Sequence, residues 1–499
     1  MNWDAWIPLL VVAISLLLSL IIFSLAEDSV RLRTMLNLFG NFATLALVIW
    51  MFVRVYHGHV FETRLPLLAD LDLVLRADPL ALLFVGLSSG LWLLTTIYAI
   101  GYLKGSPNRS RFFGFFSLCV TATTGVALSG NLLSFLLFYE LLTLSAYPLI
   151  VHHGTAKAYR AGQSYLAYTL CGGALLLLGT VWLYTLTDTL EFTPQGFIHG
   201  LNEESRFSLV SIFVLLIAGL GVKAALVPLH SWLPTAMVAP APVSALLHAV
   251  AVVKAGAFGI VRVIYDVFGA ERAALLGLTL PLALLAAVTI IYGSLRALFQ
   301  DDLKRRLAFS TVSQVSYIVL GVAIAGPIAT IGGLVHLVHQ GLMKITLFFC
   351  AGNLAKTLGI HKVSEMNGVG RRMPWTMTAF TIGALGMIGI PPTAGFISKW
   401  YLGLGALEAG QEWVIIVLLS SSLLNAAYFL PALHRIWFQS PPDAWPDEHD
   451  IGNKETAWAL LLPPVVTAVM AVTAGLLATA PFSPLEWVQL IAEREFYQP

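Results

Sequence analysis

Apolar residues fill this chain in fourteen long blocks separated by short polar stretches. They lie at roughly 5–24, 34–55, 79–102, 112–129, 131–151, 162–186, 208–228, 240–264, 274–296, 307–325, 328–353, 375–400, 413–437 and 457–479. A helix needs about 20 mostly apolar residues to cross a bilayer, and each block comes close to that. Unpaired backbone groups are too costly in lipid, so every block is predicted to be a helix. Some connections are very short, as at Ser129-Gly130 and around Pro327. Proline removes a backbone donor and breaks a helix. Pro228 and Pro234 therefore predict a break in the seventh span, and Pro391 and Pro392 one in the twelfth. The expected fold is all-α and membrane-integral, with about 14 spans.

Composition excludes the soluble alternative. Of 499 residues, 58% are hydrophobic and 11% charged, against about 25% charged in an average soluble domain. The net charge of +1 gives no sign of a nucleic-acid partner. Lys and Arg are unevenly spread, which sets orientation. With both termini on the non-cytoplasmic side, inside loops hold seventeen of the 28, from Arg31 and Arg33 to Arg435 and Lys454. Outside segments hold seven: Arg54, Arg64, Arg76, Arg206, Arg262, Arg272 and Arg494. The expected location is the inner cell membrane. The Met-Asn-Trp-Asp start has no basic n-region, so the first block reads as an uncleaved span.

Cys119, Cys171 and Cys350 lie in apolar runs with no paired spacing and read as packing residues. No CxxC, HExxH, Walker loop or dinucleotide fingerprint is present. No cofactor and no metal site are expected.

The remaining four cations, Lys223, Lys254, Lys344 and Lys399, fall inside spans. Each costs about 2.5–3.5 kcal/mol on insertion scales. Glu140 is the one acid well inside a block. Lys254 and Lys344 also fit lysines that snorkel to the interface. Lys223 and Lys399 do not, and both sit beside a proline break. In lipid a break survives only where it is buried in protein or lines a wet cavity. The two breaks lie 176 residues apart, which suggests structural repeats; paired interrupted helices point to a transport site. His336, Gln340 and Lys344 are spaced i, i+4, i+8 and share one helix face, with His339 beside them. His248 lies one turn after Ser244, and Lys254, six residues on, points elsewhere. His230 fits a loop residue as well as a relay member.

These residue types suit proton transfer. Burial disfavours a charged ammonium and a nearby carboxylate favours it. Movement of that carboxylate then switches a lysine between holding and releasing a proton. Glu140 and Lys223 are the candidate pair, and arginine would not replace the lysine because it stays protonated. The expected relay is Glu140, Lys223, His248, Lys254, His336, His339, Lys344 and Lys399.

At these residues the chain resembles the Mrp-type cation/proton antiporter subunits and the antiporter-like subunits of respiratory complex I. The resemblance rests on Tyr98-Ala-Ile-Gly-Tyr102 with Arg111-Phe-Phe-Gly-Phe-Phe-Ser117, Phe138-Tyr-Glu-Leu-Leu142 and Lys223 to Pro234. It continues in Ala239-Pro-Ala-Pro-Val-Ser-Ala-Leu-Leu-His248, Asp301-Asp-Leu-Lys-Arg305 with Ser310-Thr-Val-Ser-Gln314, and Gly389-Ile-Pro-Pro-Thr-Ala-Gly395. It implies fourteen helices, with spans 4–8 and 9–13 as two inverted five-helix repeats. The implied organisation is 1–110 for spans 1–3, 111–265 and 273–438 for the repeats, and 455–499 for span 14 and the tail. Glu140 and Lys223 would form the first half-channel's pair, His248 the link, Lys344 the group on span 11, and Lys399 the exit. The family works inside multi-subunit membrane complexes. Length and Lys399 resemble the D-type Mrp subunit, which implies a proton-translocating part of a Na+/H+ antiporter. The alternatives are a proton-pumping arm of complex I or a related NADH/quinone or hydrogenase complex, and a proton-driven energy-coupling subunit for inorganic carbon uptake. Nothing in the sequence forms a Na+ cage of several oxygens.

Overall fold

The structure is a computed structural model and describes residues 3–68, 71–198, 205–448 and 455–497. Lys454, assigned to an inside loop, lies outside the described residues. Thirteen described helices are long and apolar enough to cross a membrane. They include Ile7–Phe23, Val30–Tyr56, Pro79–Tyr102, Arg109–Leu128, Leu132–Ile150, Ala156–Thr187 and Arg206–Lys223 as spans 1–7. Spans 9, 10, 11, 13 and 14 are Thr279–Leu298, Leu303–Ala323, Pro327–Leu358, Trp413–Phe438 and Trp458–Leu476. Span 12 is the fourteenth and comes in two pieces, Pro374–Ile388 and Ala394–Glu408.

Local chemistry sets several starts. Asn131 accepts from the Ser134 N–H at 2.7 Å, Thr155 from Ala158, and Asp302 from Arg305 at 2.8 Å, each supplying an orphan donor of a first turn. Close packing follows small residues, as in membrane helix pairs. Span 6 lies along span 7, and a Cβ added at Gly172 would sit 3.0 Å from the Gly219 carbonyl oxygen. Span 11 lies along the second piece of span 12, where a Cβ on Gly332 would sit 2.5 Å from the Leu402 nitrogen. These are corresponding members of the two five-span units.

Four features depart from the expectation. The link between spans 2 and 3 is an antiparallel hairpin, β1 (Phe61–Leu68) and β2 (Leu71–Ala77), so the fold is not wholly helical. Phe61 and Leu75 are buried, while Glu62, Arg64, Arg76 and Glu191 form an ion-paired outer layer. Span 8 is also broken, into Ala241–Ala249 and Val252–Arg262, followed by a wider π-helical run, Val263–Phe268. That run carries the span past its expected end. A further amphipathic helix, Pro484–Phe496, follows span 14. Its Trp487 ring nitrogen donates to the Pro79 carbonyl at 2.8 Å.

Candidate functional site

The first helical piece of span 7 ends at Lys223, earlier than the apolar block suggests. Beyond it the chain turns through Pro228, and Pro234 sits in a short helix, Trp232–Thr235. Side chains take up the freed backbone groups. Thr289 of span 9 accepts from the Val227 N–H at 3.1 Å, and the Trp232 ring N–H donates to the Val222 carbonyl at 2.8 Å. Lys223 is fully buried. Its ammonium lies 3.3 Å from the centroid of the Tyr139 ring and donates to the Tyr139 carbonyl. Glu140, the next residue along span 5, is within Coulomb range of Lys223. The two form no ion pair within 4.0 Å among the described residues, and Glu140 Oε1 has no protein partner. Gly173 of span 6 faces this carboxylate so closely that a Cβ there would strike it.

A second, central group joins the two units. His248 ends the first piece of span 8, its ring 4.7 Å from that of Phe348. It lies within Coulomb range of Lys344. Lys344 donates to the Leu307 carbonyl at 3.2 Å and to the Ser310 hydroxyl. Lys254 donates to the Leu337 carbonyl of span 11 at 2.8 Å, and is in Coulomb range of Lys344 and His336. The helical spacing that set it apart from His248 does not apply, because the break in span 8 lies between them; its bond is to span 11. His336 Nδ1 lies 2.8 Å from the Ser398 hydroxyl, with the Tyr317 ring 5.1 Å away. Lys399, next to Ser398, donates to the Met387 and Ile388 carbonyls at 3.0 and 2.8 Å and to Ser422 at 2.9 Å. Those two carbonyls end the first piece of span 12, so Lys399 caps the broken helix from its negative end. Pro391 and Pro392 are exposed.

His339, Gln340 and Gln314 are fully buried, and none of their side-chain polar atoms has a protein partner; the same holds for both His248 nitrogens. Buried polar groups are normally satisfied, by protein or by bridging water. A group of such atoms beside the buried Lys254 and Lys344 and the half-buried Lys399 suits water-linked proton transfer. Lys223 bonds to Tyr139 and to none of the central residues. His230 is buried against the Tyr292 ring, 4.9 Å away, outside the band.

Sequence reasoning missed Tyr139, Ser310, Tyr317 and Ser398. Two of these had a signal, since Tyr139 and Ser398 directly precede Glu140 and Lys399. It also treated Glu140 as the sole buried acid. Glu140 is in fact half-buried, whereas Asp266, in the π-helical run, is 1% exposed. Arg262, counted with the segments on the non-cytoplasmic side, is likewise 1% exposed; it donates to Asp78 at 2.8 and 3.0 Å and to Asp266 at 2.8 Å. Arg494 of the last helix reaches Asp266 at 2.8 Å and Glu495 at 2.6 Å. Burial works to raise the Asp78 pKa, but Arg262 and Arg494 outweigh it and hold the carboxyl well below the usual range. Burial and the neighbouring Asp266 push Glu495 up to about 7, against the pull of Arg494.

Comparison with known proteins gives consistent matches. Residues 129–425 match the family described as NADH:quinone oxidoreductase/Mrp antiporter, TM. Residues 68–113 match the one described as NADH-Ubiquinone oxidoreductase (complex I), chain 5 N-terminus. The N-type subunit of the NADH-quinone oxidoreductase of Desulforudis audaxviator is 39% identical over 369 residues, 73% of each chain. The D-type subunit of the Na(+)/H(+) antiporter of Bacillus subtilis is 29% identical over 412 residues, 82% of this chain and 81% of that one. A chain in the structure of the Mrp complex from Dietzia sp. superposes with a TM-score of 0.88 at 23% identity, covering 100% of this chain and 98% of that one. A chain of the membrane-bound sulfane sulfur reductase, an archaeal respiratory membrane complex, gives 0.87 at 24%, covering 98% and 97%. At these identities the two structures bear on the fold.

Proposed function

The chain belongs to the NADH:quinone oxidoreductase/Mrp antiporter family, and from that premise we propose that it is the proton-translocating subunit of a multi-subunit Mrp-type Na+/H+ antiporter. It is a multi-pass integral membrane protein. Its partners in this reading are the other membrane subunits of the complex, in the inner cell membrane, with both termini on the non-cytoplasmic side. Residues 111–265 and 273–438 act as two inverted half-channels.

The observation that supports this reading is the set of ionisable groups within the spans: the Glu140–Lys223 pair, and the central group of His248, Lys344, Lys254 and His336 that leads through Ser398 to Lys399. Approach of the Glu140 carboxylate favours the ammonium form of Lys223; its withdrawal in a buried site favours release. His339 and Gln340 lie on the same span as His336 and Lys344, and their unpartnered polar atoms suit bridging waters. The pair titrates as a unit, so no single group owns the proton. In this reading cation movement belongs to another member of the complex or to an interface; among the described residues no cluster of oxygen ligands accompanies the lysines.

The test uses the assembled complex in vesicles. Glu140→Ala should abolish cation/proton exchange without loss of assembly. Normal exchange by the assembled variant refutes the relay.

A second reading is favoured by the 39% identity with the NADH-quinone oxidoreductase relative, against 29% with the antiporter one. Here the chain is a proton-pumping arm of a complex I-like machine. Exchange driven by a cation gradient alone, without an electron donor, supports the antiporter; strict dependence on a donor supports the pump.

A further inference from the structure

At the face that carries the Lys- and Arg-rich loops lies a cavity of about 230 Å3, lined by Tyr102, His153, Asp302, Lys304 and His361 and by the backbone near Ala239. His153 and His361 are exposed, so the cavity meets solution. Lys304, in the first turn of span 10, is the cation that turns inward from it. Its ammonium donates to the Ala239 carbonyl at 2.7 Å and to the Met237 carbonyl at 3.5 Å. No carboxylate lies within ion-pair distance of it among the described residues.

The Ala239 carbonyl has a second donor, the Ser244 hydroxyl, at 3.4 Å. Sharing one acceptor puts the Lys304 nitrogen and the Ser244 oxygen within about 6 Å, a gap that one bridging water spans. Ser244 is one turn before His248 on the same short helix. His248 is near enough to feel the charges of both Lys304 and Lys344, and neither of its ring nitrogens has a partner.

We propose that Lys304 is the proton-loading residue of this chain, taking protons from the His153–His361 cavity and passing them through Ser244 to His248. The inference rests on the reading that the buried band carries protons. The step moves one proton. An ammonium N–H bond of Lys304 breaks toward the bridging water and the Ser244 oxygen. The Ser244 hydroxyl proton goes to a free His248 nitrogen. A neutral amine and an imidazolium result, and the cavity recharges the amine.

The surroundings fit that role. Burial, and then the Lys304 ammonium, hold the pKa of His153 below its ordinary value, so its ring is a neutral acceptor at neutral pH. The other charged or titratable groups about Lys304 are Asp302 and Arg305 on its own element, Tyr102 of span 3, His361 after span 11, and His248 behind it. Lys356 lies over the Tyr102 ring at 5.8 Å. Asp302 accepts from the Arg305 N–H, which holds it at the helix start. The structural alternative is that Lys304 only anchors the Met237 and Ala239 carbonyls.

The experiment compares proton uptake against pH in vesicles of the assembled complex, for the wild type and for Lys304→Met, Lys304→Arg, Lys304→His and Lys223→Met. Loss of a proton-transfer group is expected to lower the rate on the order of a hundredfold in both Lys304→Met and Lys304→Arg. Lys304→His should recover part of the rate, with its alkaline limb moved to lower pH, because imidazole gives up its proton near about 6.5. Wild-type rate and profile in Lys304→Arg would make Lys304 an anchor and overturn the proposal. So would full activity of Lys304→Met beside a dead Lys223→Met, which leaves the buried band intact but moves its entrance. Full activity of Lys223→Met removes the band itself, and this proposal with it. If Lys304→Met does not assemble, the arginine and histidine variants decide.

Discussion

Gly173→Ala tests the pair at the start of the band without touching a titratable group. In the wild type, the position of a Cβ on Gly173 falls on the Glu140 carboxylate, with Cδ at 2.7 Å and Oε2 at 3.0 Å as well as the nearer Oε1. Turning the carboxylate about its own bond does not clear the methyl, because all three atoms are in the way. The side chain has to change rotamer, which moves the charge on the order of 1 Å or more, and a misplacement of that size can cost about a hundredfold in rate. The helix itself gains: alanine in a helix interior is favoured over glycine by about 1 kcal/mol. Assembly and transport are thus expected to move in opposite directions. Vesicles of assembled Gly173→Ala complex should show cation-driven proton uptake reduced by about ten- to a hundredfold, with undiminished subunit content and thermal stability. Full transport in that complex would show that the Glu140 position does not set the state of Lys223.

Lys223→Arg should fail nearly as badly as Lys223→Ala in the same assay, because guanidinium keeps the charge but does not release the proton; retained activity would make Lys223 a fixed charge. Arg262→Leu leaves Asp78 and Asp266 short of a partner, and breaking a buried pair costs about 3–5 kcal/mol, so the thermal midpoint should drop sharply; an unchanged midpoint refutes the structural reading of that network. Glu495, pushed up to about 7 in the folded protein, binds its proton more tightly than in an unfolded chain, where the value is about 4.3. Its contribution is therefore full below about 4.3 and is lost as pH rises through about 7; Glu495→Gln should flatten stability over that window, and an unaltered pH curve counts against it. The purified chain should carry no flavin, iron or quinone, and a stoichiometric cofactor found by spectroscopy would overturn the reading of a transport subunit.

The spans were legible because hydropathy is a property of length, and a run of about 20 apolar residues has few other uses. Most span ends fell within about five residues, but span 6 starts earlier, at Ala156, and span 12 runs on to Glu408. The breaks in spans 7 and 12 were legible because proline announces them. The break in span 8 was not: Val250 and Ala251 include neither proline nor glycine, and both amides fold back onto the Leu246 carbonyl. The same span hid the ion network. Hydropathy ends it near residue 264, whereas π-helical turns carry it to Phe268 and bring Asp266 inside. Arg262 then read as a residue beyond the span core, since Asp78, and the Arg494 that shares its carboxylates, stand far off in sequence. The hairpin showed period-two alternation in Leu71-Asp-Leu-Val-Leu-Arg76, but too briefly to compete with the long apolar blocks around it.

The site also explains how the chain tolerates four lysines within its spans, three of them buried and Lys399 half-buried. Among the described residues none of the four ammonium groups has a carboxylate within 4.0 Å; each is held by a carbonyl or a hydroxyl. Lys223 closes the first piece of span 7, and Lys399 rests on the last carbonyls of the first piece of span 12. A helix end carries roughly half a negative charge, which favours a cation there by about 0.3–1 kcal/mol in exposed settings and more when partly buried. That support is fixed in place and modest beside the insertion cost of about 2.5–3.5 kcal/mol per lysine. A carboxylate pressed against each lysine would hold its proton too firmly to pass on. Carbonyl and hydroxyl partners leave each ammonium supported without an ion pair; in the proposed mechanism the nearby Glu140 carboxylate tips the balance at Lys223. Glycine at position 173 leaves room for that carboxylate, and the break in span 8 puts His248 and Lys254 on separate short helices, the first packed on Phe348 and the second bonded to Leu337.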